Sequence, residues 1–186
     1  MSEIETEGGS KLPPVLAPVL PQDQPPLYFP VSVNKLVVMS IFTGGIYQIY
    51  WFYKNWQLIK DRERSSIIPF LRAFFSIFFC YDLFKRITNL AQDSGFKPIA
   101  SGPLAAGWIF VSWILGFLPQ PLMLVSVLSF FFLIPVQEVV NQINNRYSPD
   151  IDPNIQYSGL NFFWMGVGAF FLLLILLGFG EAHDVP

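Results

Sequence analysis

Apolar residues in this chain fall into five long runs separated by short polar connectors. Residues 34–53, 67–84, 104–118, 122–140 and 160–180 are dominated by Leu, Ile, Val, Phe and Trp. Their lengths approach the ~20 residues that carry a helix across a hydrocarbon core. The pattern predicts an all-α fold, a polytopic integral membrane helix bundle of four to five hydrophobic helices over residues 31–180, with no separate soluble domain.

Two of the runs contain breaks. Thr43-Gly44-Gly45 interrupts the first, where paired glycines permit either a bent span or a re-entrant hairpin. Pro135 removes one backbone bond from the fourth and predicts a kink. Between the third and fourth runs, Pro119-Gln120-Pro121 leaves room only for a tight helical hairpin. The second run differs in kind, because it carries Arg72 and Asp82 and continues into polar sequence. At 100° per residue, Arg72, Asp82, Arg86, Asn89 and Asp93 fall within a sector of about 100°, with phenylalanines around the rest of the circumference. That is an interfacial amphipathic helix as much as a span.

Residues 1–30 hold seven prolines and an excess of acid, Glu3, Glu5, Glu7 and Asp23 against Lys11. They predict a flexible, extended tail acting as a spacer. Residues 181–186 form a short acidic tail. The opening Met1-Ser2-Glu3-Ile4-Glu5 lacks the basic and apolar regions of a cleaved signal, so the first hydrophobic helix is expected to act as an uncleaved insertion signal.

Composition sharpens the membrane reading. Hydrophobic residues make up 53% of the 186 and charged residues 13%, with 20 phenylalanines, whereas soluble domains carry about a quarter charged residues. Cys80 and His183 are each alone, which excludes an intrachain disulfide and a Cys/His metal cluster. No phosphate-binding glycine loop, HExxH or nucleophile elbow occurs, so neither cofactor nor catalytic residue is expected and the chain reads as non-enzymatic. Asp150, Asp152 and Asn154 alternate like the start of a calcium loop, but the required glycine and the final acid are missing. Basic residues total only 11, and their main cluster, Lys54 to Arg64, is explained by membrane orientation, which disfavours nucleic-acid binding.

Lys and Arg in short loops favour the cytoplasmic side. If all five runs cross, Lys35, Lys85, Arg86, Lys97 and Arg146 oppose Lys54, Lys60, Arg62 and Arg64, and no orientation results. With the second run along the interface, all but Lys35 gather on one side, and the two acidic tails on the other. A re-entrant first run leaves all nine together. The expectation is therefore that residues 67–93 do not cross as a simple span.

The most distinctive motif is Gly45-Ile46-Tyr47-Gln48-Ile49-Tyr50-Trp51-Phe52-Tyr53-Lys54-Asn55-Trp56, followed at once by Lys60-Asp61-Arg62-Glu63-Arg64. Tyr and Trp favour the headgroup layer, where one part of the ring is apolar and another needs a hydrogen bond, and Lys54 can extend toward phosphates. Tyr47, Tyr50, Trp51, Tyr53, Lys54, Asn55 and Trp56 are thus either an aromatic belt anchoring a helix end or a recognition surface. Together with Phe29-Pro30-Val31-Ser32, Lys35-Leu36, Met39-Ser40, Thr43, Pro69-Phe70 and Arg72-Ala73, the motif resembles a family of small bacterial inner-membrane proteins classed only as a domain of unknown function. The similarity covers roughly residues 28–95. It implies a multi-pass place in the bacterial cytoplasmic membrane and no assigned activity, and its members usually carry a single glycine where this chain has Gly44-Gly45.

Arg72 and Asp82 are ionisable residues within hydrophobic sequence, where a charge at the bilayer centre costs on the order of 3 kcal/mol. Near a segment end Arg72 can snorkel, and Asp82 can pair with Arg86 one turn on. Residues Glu138 to Arg146 read as a solvated helix end, and Gly166, Gly168, Gly178 and Gly180 suggest close helix contacts. The expected function is membrane interaction or envelope organisation through an interfacial aromatic helix, with lipids, another membrane protein or a second copy of the chain as partner. The alternative is a subunit of a small oligomeric transporter or channel, its pathway lined by Arg72, Asp82 and the Pro135 kink. In a Cys80-free variant, single cysteines at Ser65 and Ser94 should react with an impermeant thiol reagent from the same side. Labelling from opposite sides would mean that residues 67–93 cross.

Overall fold

The computed structural model describes residues 25–119 and 122–181. Most of the expected tail, residues 1–24, and the acidic end, residues 182–186, lie outside the described residues. The described chain is all-α: α1 (Val33–Phe42), α2 (Ile46–Glu63), α3 (Pro69–Phe74), α4 (Ser76–Asp93), α5 (Ser101–Phe117), α6 (Leu122–Tyr147) and α7 (Gly159–Glu181).

The first apolar run is a helical hairpin. Gly44 and Gly45 have φ of 59° and 89°, a left-handed backbone that glycine adopts without a Cβ clash. Gly45 N–H reaches Ser40 O at 2.8 Å and Gly44 N–H reaches Ile41 O at 3.1 Å, the paired bonds of a Schellman helix end. Thr43 completes the turn, its hydroxyl donating to Met39 O at 2.7 Å and accepting from Tyr47 N at 3.0 Å. The chain then runs back along itself. Phe29 N–H donates to Asn55 Oδ1 at 3.1 Å, and the Phe29 and Tyr50 rings meet edge to face at 5.7 Å. The bent-span alternative is therefore replaced by a hairpin.

The second run also breaks. α3 ends at Phe74 and α4 starts at Ser76 across a non-helical Phe75. Arg72 and Asp82, on opposite sides of this break, are bonded at 3.2 Å, so residues 67–84 fold back rather than forming one rod. α5 and α6 make a third hairpin. Gly44, Gly45, Phe74, Gly116 and Phe117 line one shared cavity, which brings the three reversals to the same end of the bundle. At the opposite end Ser94 meets Tyr147 at 2.9 Å and Asn144 binds Tyr28. Ser94 is itself buried in that contact, so the exposed Asp93 is the better labelling position on this loop.

α2 is the central element. Trp51, Phe52, Trp56 and Ile59 are fully buried and pack with Leu36 and Met39 of α1, Leu83, Phe84 and Ile87 of α4, and Val136, Val140 and Ile143 of α6. In α6 the first part, Leu122–Phe132, is a 3₁₀ helix, and the α-helical part starts at Ile134 with Pro135 in its first turn, where its missing N–H costs no bond. Three residues per turn stack Ser126, Ser129 and Phe132 on one ridge, with Ser126 beside Gly116 and Phe132 against Gly107 of α5, while Ser129 and Trp108 meet on the Gln48 amide oxygen.

Leu122–Tyr147 is long and apolar enough to cross a membrane by length and composition; Val33–Phe42, Ser101–Phe117 and Gly159–Ile175 are shorter apolar helices. α7 lies along α1, with Gly168 directly on the backbone of Phe42 and Thr43, while open space surrounds Gly166. Adding a methyl at Gly107 would drive it into the Phe132 ring, whereas one at Gly116 meets Ser126 at an ordinary 3.8 Å. Gly107→Ala should therefore destabilise by about 1–3 kcal/mol in thermal unfolding of the detergent-solubilised protein, and Gly116→Ala should be neutral or gain up to about 1 kcal/mol in helix propensity.

Candidate functional site

The aromatic motif divides around α2. Trp51, Asn55 and Trp56 are inside the bundle, with relative exposures of 0%, while Tyr50 is exposed and Tyr53 and Lys54 are half-buried. The seven motif residues therefore do not form one outward-facing belt. α1, α3, α4 and α6 surround this helix, so its rings are needed to fill space on more than one side. Phe52 sits at the hub, 4.8 Å from Trp108, 5.2 Å from Trp51 and 6.2 Å from Phe84 between ring centroids. Lys54 Nζ donates to Gln57 Oε1 at 3.1 Å on the outer side.

Side-chain amides knit the inner side together. Trp51 Nε1 donates to Gln137 Oε1 at 2.5 Å, and Asn55 Nδ2 donates to Trp51 O at 2.9 Å. Gln48 accepts from Trp108 Nε1 at 2.8 Å and from Ser129 Oγ at 2.9 Å, and donates to Val127 O at 3.2 Å. Buried polar groups of this kind are tolerable because their bonds are made.

The same amides hold an extended segment of the chain's own backbone. Asn144 accepts from Tyr28 N at 3.2 Å and donates to Tyr28 O at 2.8 Å. Gln137 Nε2 donates to Phe29 O at 3.2 Å and Asn141 Nδ2 to Val31 O at 3.1 Å. Arg62 donates to Leu27 O at 2.7 Å and lies 5.2 Å above the Tyr28 ring. Burial raises the Tyr28 phenol pKa, and Arg62 pulls it part of the way back. The tail boundary at residue 30 is thus too late, because Tyr28 and Phe29 belong to the core. A solvated end was expected for Glu138 to Arg146. Glu138, Gln142, Asn145 and Arg146 are exposed, but Asn141 and Asn144 face inward. The signal was the spacing of Gln137, Asn141 and Asn144, one per turn on a single face.

Arg72, Asp82 and Arg86 come together at the outer edge of α2, α3 and α4. Asp82 accepts from Arg72 at 3.2 Å and from Arg86 Nε at 3.3 Å, and Arg86 also binds Glu63 at 2.8 Å. The Arg72 guanidinium lies 4.3 Å above the Trp56 ring and the Arg86 guanidinium 5.9 Å, in cation–π geometry. Burial works against the Arg86 charge, but Asp82 and Glu63 outweigh it and raise its pKa. These charges are neutralised by one another and tie three helices together.

No family model, curated protein or solved structure matches this chain. Its site must be read from its own geometry. Among the described residues, no three His, Cys, Asp or Glu side chains come together as a metal site requires. A cavity of about 320 Å³ lies between the three hairpin turns, and its polar lining is uncharged: Gln48, Ser76, Ser112, Ser126 and Ser129. Arg72, Asp82 and Pro135 are not among its lining residues, so the structure does not gather the residues expected to line a pathway. Sequence reasoning also passed over Lys35, which is 3% exposed and donates to Asn154 Oδ1 at 2.7 Å and Gln156 O at 2.6 Å.

The two polar groupings should differ in energetic weight. Asn144→Leu strands both Tyr28 N–H and C=O in buried surroundings and should cost about 1–3 kcal/mol. It should also open Leu27–Val31 to limited proteolysis. Asp82→Asn acts on ion pairs whose side chains are 25% to 43% exposed and should cost less than about 1 kcal/mol. Denaturation of both variants in detergent checks the order.

Proposed function

We propose that this protein is a non-enzymatic, multi-pass protein of a bacterial cytoplasmic membrane that binds membrane components at the charged end of its bundle. The observation that carries this reading is the layout of charge against apolar surface. Lys60, Arg62, Arg64, Lys97 and Arg146 lie toward the end opposite the hairpin turns, with Lys54, Lys85 and Arg86 midway along α2 and α4, and the described residues of the turns are uncharged. Between the two ends the exterior is apolar, with Ile46, Phe74, Phe78, Phe110, Phe131 and Phe171 all exposed. Soluble proteins rarely expose contiguous apolar patches of that kind.

Under this reading the three hairpins and α7 lie in the bilayer, with the ends of the hairpins that carry Lys and Arg on one side. Lys and Arg then face the cytoplasm. The resemblance of the aromatic motif to small bacterial inner-membrane proteins supports the same location. The binding surface is the outer side of α2, where Tyr53 and Lys54 sit beside Lys60 and Arg64. The partner is a lipid headgroup, a neighbouring membrane protein or a second copy of the chain. Trp51 and Trp56 build the core and take no direct part.

The serine-lined cavity between the hairpin turns favours the second reading, a subunit of a small oligomeric transporter or channel. Solute flux in proteoliposomes that is lost on filling the cavity with Ser129→Phe would replace the first reading by this one.

Neutralising the outer side separates binding from folding. Tyr53→Ala combined with Lys54→Gln, Lys60→Gln and Arg64→Gln should leave insertion and helix content intact. Each lost cation should weaken retention of phosphatidylglycerol in the purified protein by about 1 kcal/mol. Unchanged retention, together with unchanged crosslinking to neighbours in native membranes, would overturn the proposal.

A further inference from the structure

Lys35 sits where a chain with few buried charges has no evident need of one. It lies in the first turn of α1, and its amine is bonded to two neutral oxygens, Asn154 Oδ1 and Gln156 O, with the Tyr157 ring 5.6 Å away. An ammonium has three donors; two are used on neutral oxygens, and the nearby Asp152 carboxylate acts on the charge through space without a direct ion pair. The pocket beside it, about 360 Å³, is lined by Tyr47, Tyr50, Asp152, Ser158 and Asn161. The amino terminus of α7 opens here, with Ser158 as its cap, and adds a partial positive charge. Asp152 is the one carboxylate in the lining.

This polar pocket leads into an apolar one. Tyr47, Tyr50, Leu160 and Asn161 are shared with a cavity of about 250 Å³ that adds Met39, Thr43, Ile46 and Trp164. Thr43, Ile46 and Trp164 are shared in turn with a third cavity, about 300 Å³, that runs beside Val167, Phe171 and Ile175. The three cavities follow one side of α7 from Asn161 to Ile175, which at 1.5 Å per residue is about 20 Å. One leaflet of a ~30 Å hydrocarbon core has a comparable depth. The track is polar and cationic at one end and mainly apolar along the rest, its last part lying between α7, the Thr43–Ile46 turn and the start of α6.

We infer that this track binds a phospholipid with an anionic headgroup, its phosphate against Lys35 and the start of α7 and one acyl chain along Met39, Ile46, Trp164 and Val167. The inference rests on the membrane-binding reading but uses a different surface from the outer side of α2. The phosphate supplies a directly bonded counter-charge, which Asn154 and Gln156 lack and Asp152 gives only at a distance. Tyr47 and Tyr50 offer hydroxyls at the junction of headgroup and chain, and the groove walls exclude water from the chain.

The test uses the full chain in detergent with phosphatidylglycerol that carries a photoreactive diazirine midway along one acyl chain, and mass spectrometry to map the crosslinks. Adducts should fall on α7 between Trp164 and Phe171 or on α1 near Met39. Lys35→Gln should lower their yield by about fivefold, the worth of one cation near an anionic lipid, and Lys35→Arg should restore most of it. Val167→Phe, which fills the deep end and leaves Lys35 in place, should lower the yield as well, with helix content unchanged by circular dichroism. Excess inorganic phosphate should not compete. Competition by phosphate would assign the pocket to a free anion and overturn the lipid. Equal capture of a phosphatidylcholine analogue, adducts elsewhere, or a Lys35→Gln yield equal to wild type would overturn the site. If the groove fails while the variants of Tyr53, Lys54, Lys60 and Arg64 still lose lipid, the outer α2 surface stands and this track alone is wrong.

Discussion

Every stretch of backbone that leaves the helix inside this bundle needs hydrogen-bond partners other than a helical neighbour, and meeting that need shapes the rest of the structure. Helical backbone satisfies itself, which is why long apolar runs fold as helices without help. Two of the exceptions are the reversal at Gly44-Gly45 and the extended segment Leu27–Val31. At the first, two left-handed glycines and the Thr43 hydroxyl close the end of α1 and cap the start of α2. At the second, Asn55, Gln137, Asn141 and Asn144 supply the partners a neighbouring strand would give.

These two solutions depend on each other. The turn brings residues 27–31 back along α2, and only then do they lie in reach of α6. The α6 amides in turn fix where the hairpin sits against the other helices. Trp51 joins both systems, since its indole binds the Gln137 that also binds Phe29 O. An aromatic ring in this motif is therefore at once a core residue and a hydrogen-bond donor, and that double demand accounts for tryptophan rather than phenylalanine at position 51.

Charge follows the same division. The ionisable residues inside apolar sequence, Arg72 and Asp82, meet because α3 and α4 fold back on each other, and Arg86 and Glu63 complete the group over Trp56. A helix running straight through residues 67–93 would have left Arg72 and Asp82 ten residues apart along one rod. Folding back removes an unpaired charge from the apolar exterior. Lys35 is held differently, by two neutral oxygens beside the Tyr157 ring at the mouth of a groove.

The all-α class, the rough extents of the apolar helices and the two glycines that break the first of them were legible along the chain. Those features depend on local period and on backbone freedom, which neighbours along the chain specify. The sequence also marked Arg72, Asp82 and Arg86 as neighbours, though on one helix, whereas the break at Phe75 puts Arg72 on α3 and the other two on α4. Only the tertiary structure decided that Trp51, Asn55 and Trp56 point inward, that Tyr28 and Phe29 belong to the core, and that Lys35 borders a groove along α7. A motif of rings and amides reads the same whether it faces a headgroup layer or a helix partner. The choice rests on which distant segments, here α5, α6 and the segment before α1, supply the missing hydrogen bonds.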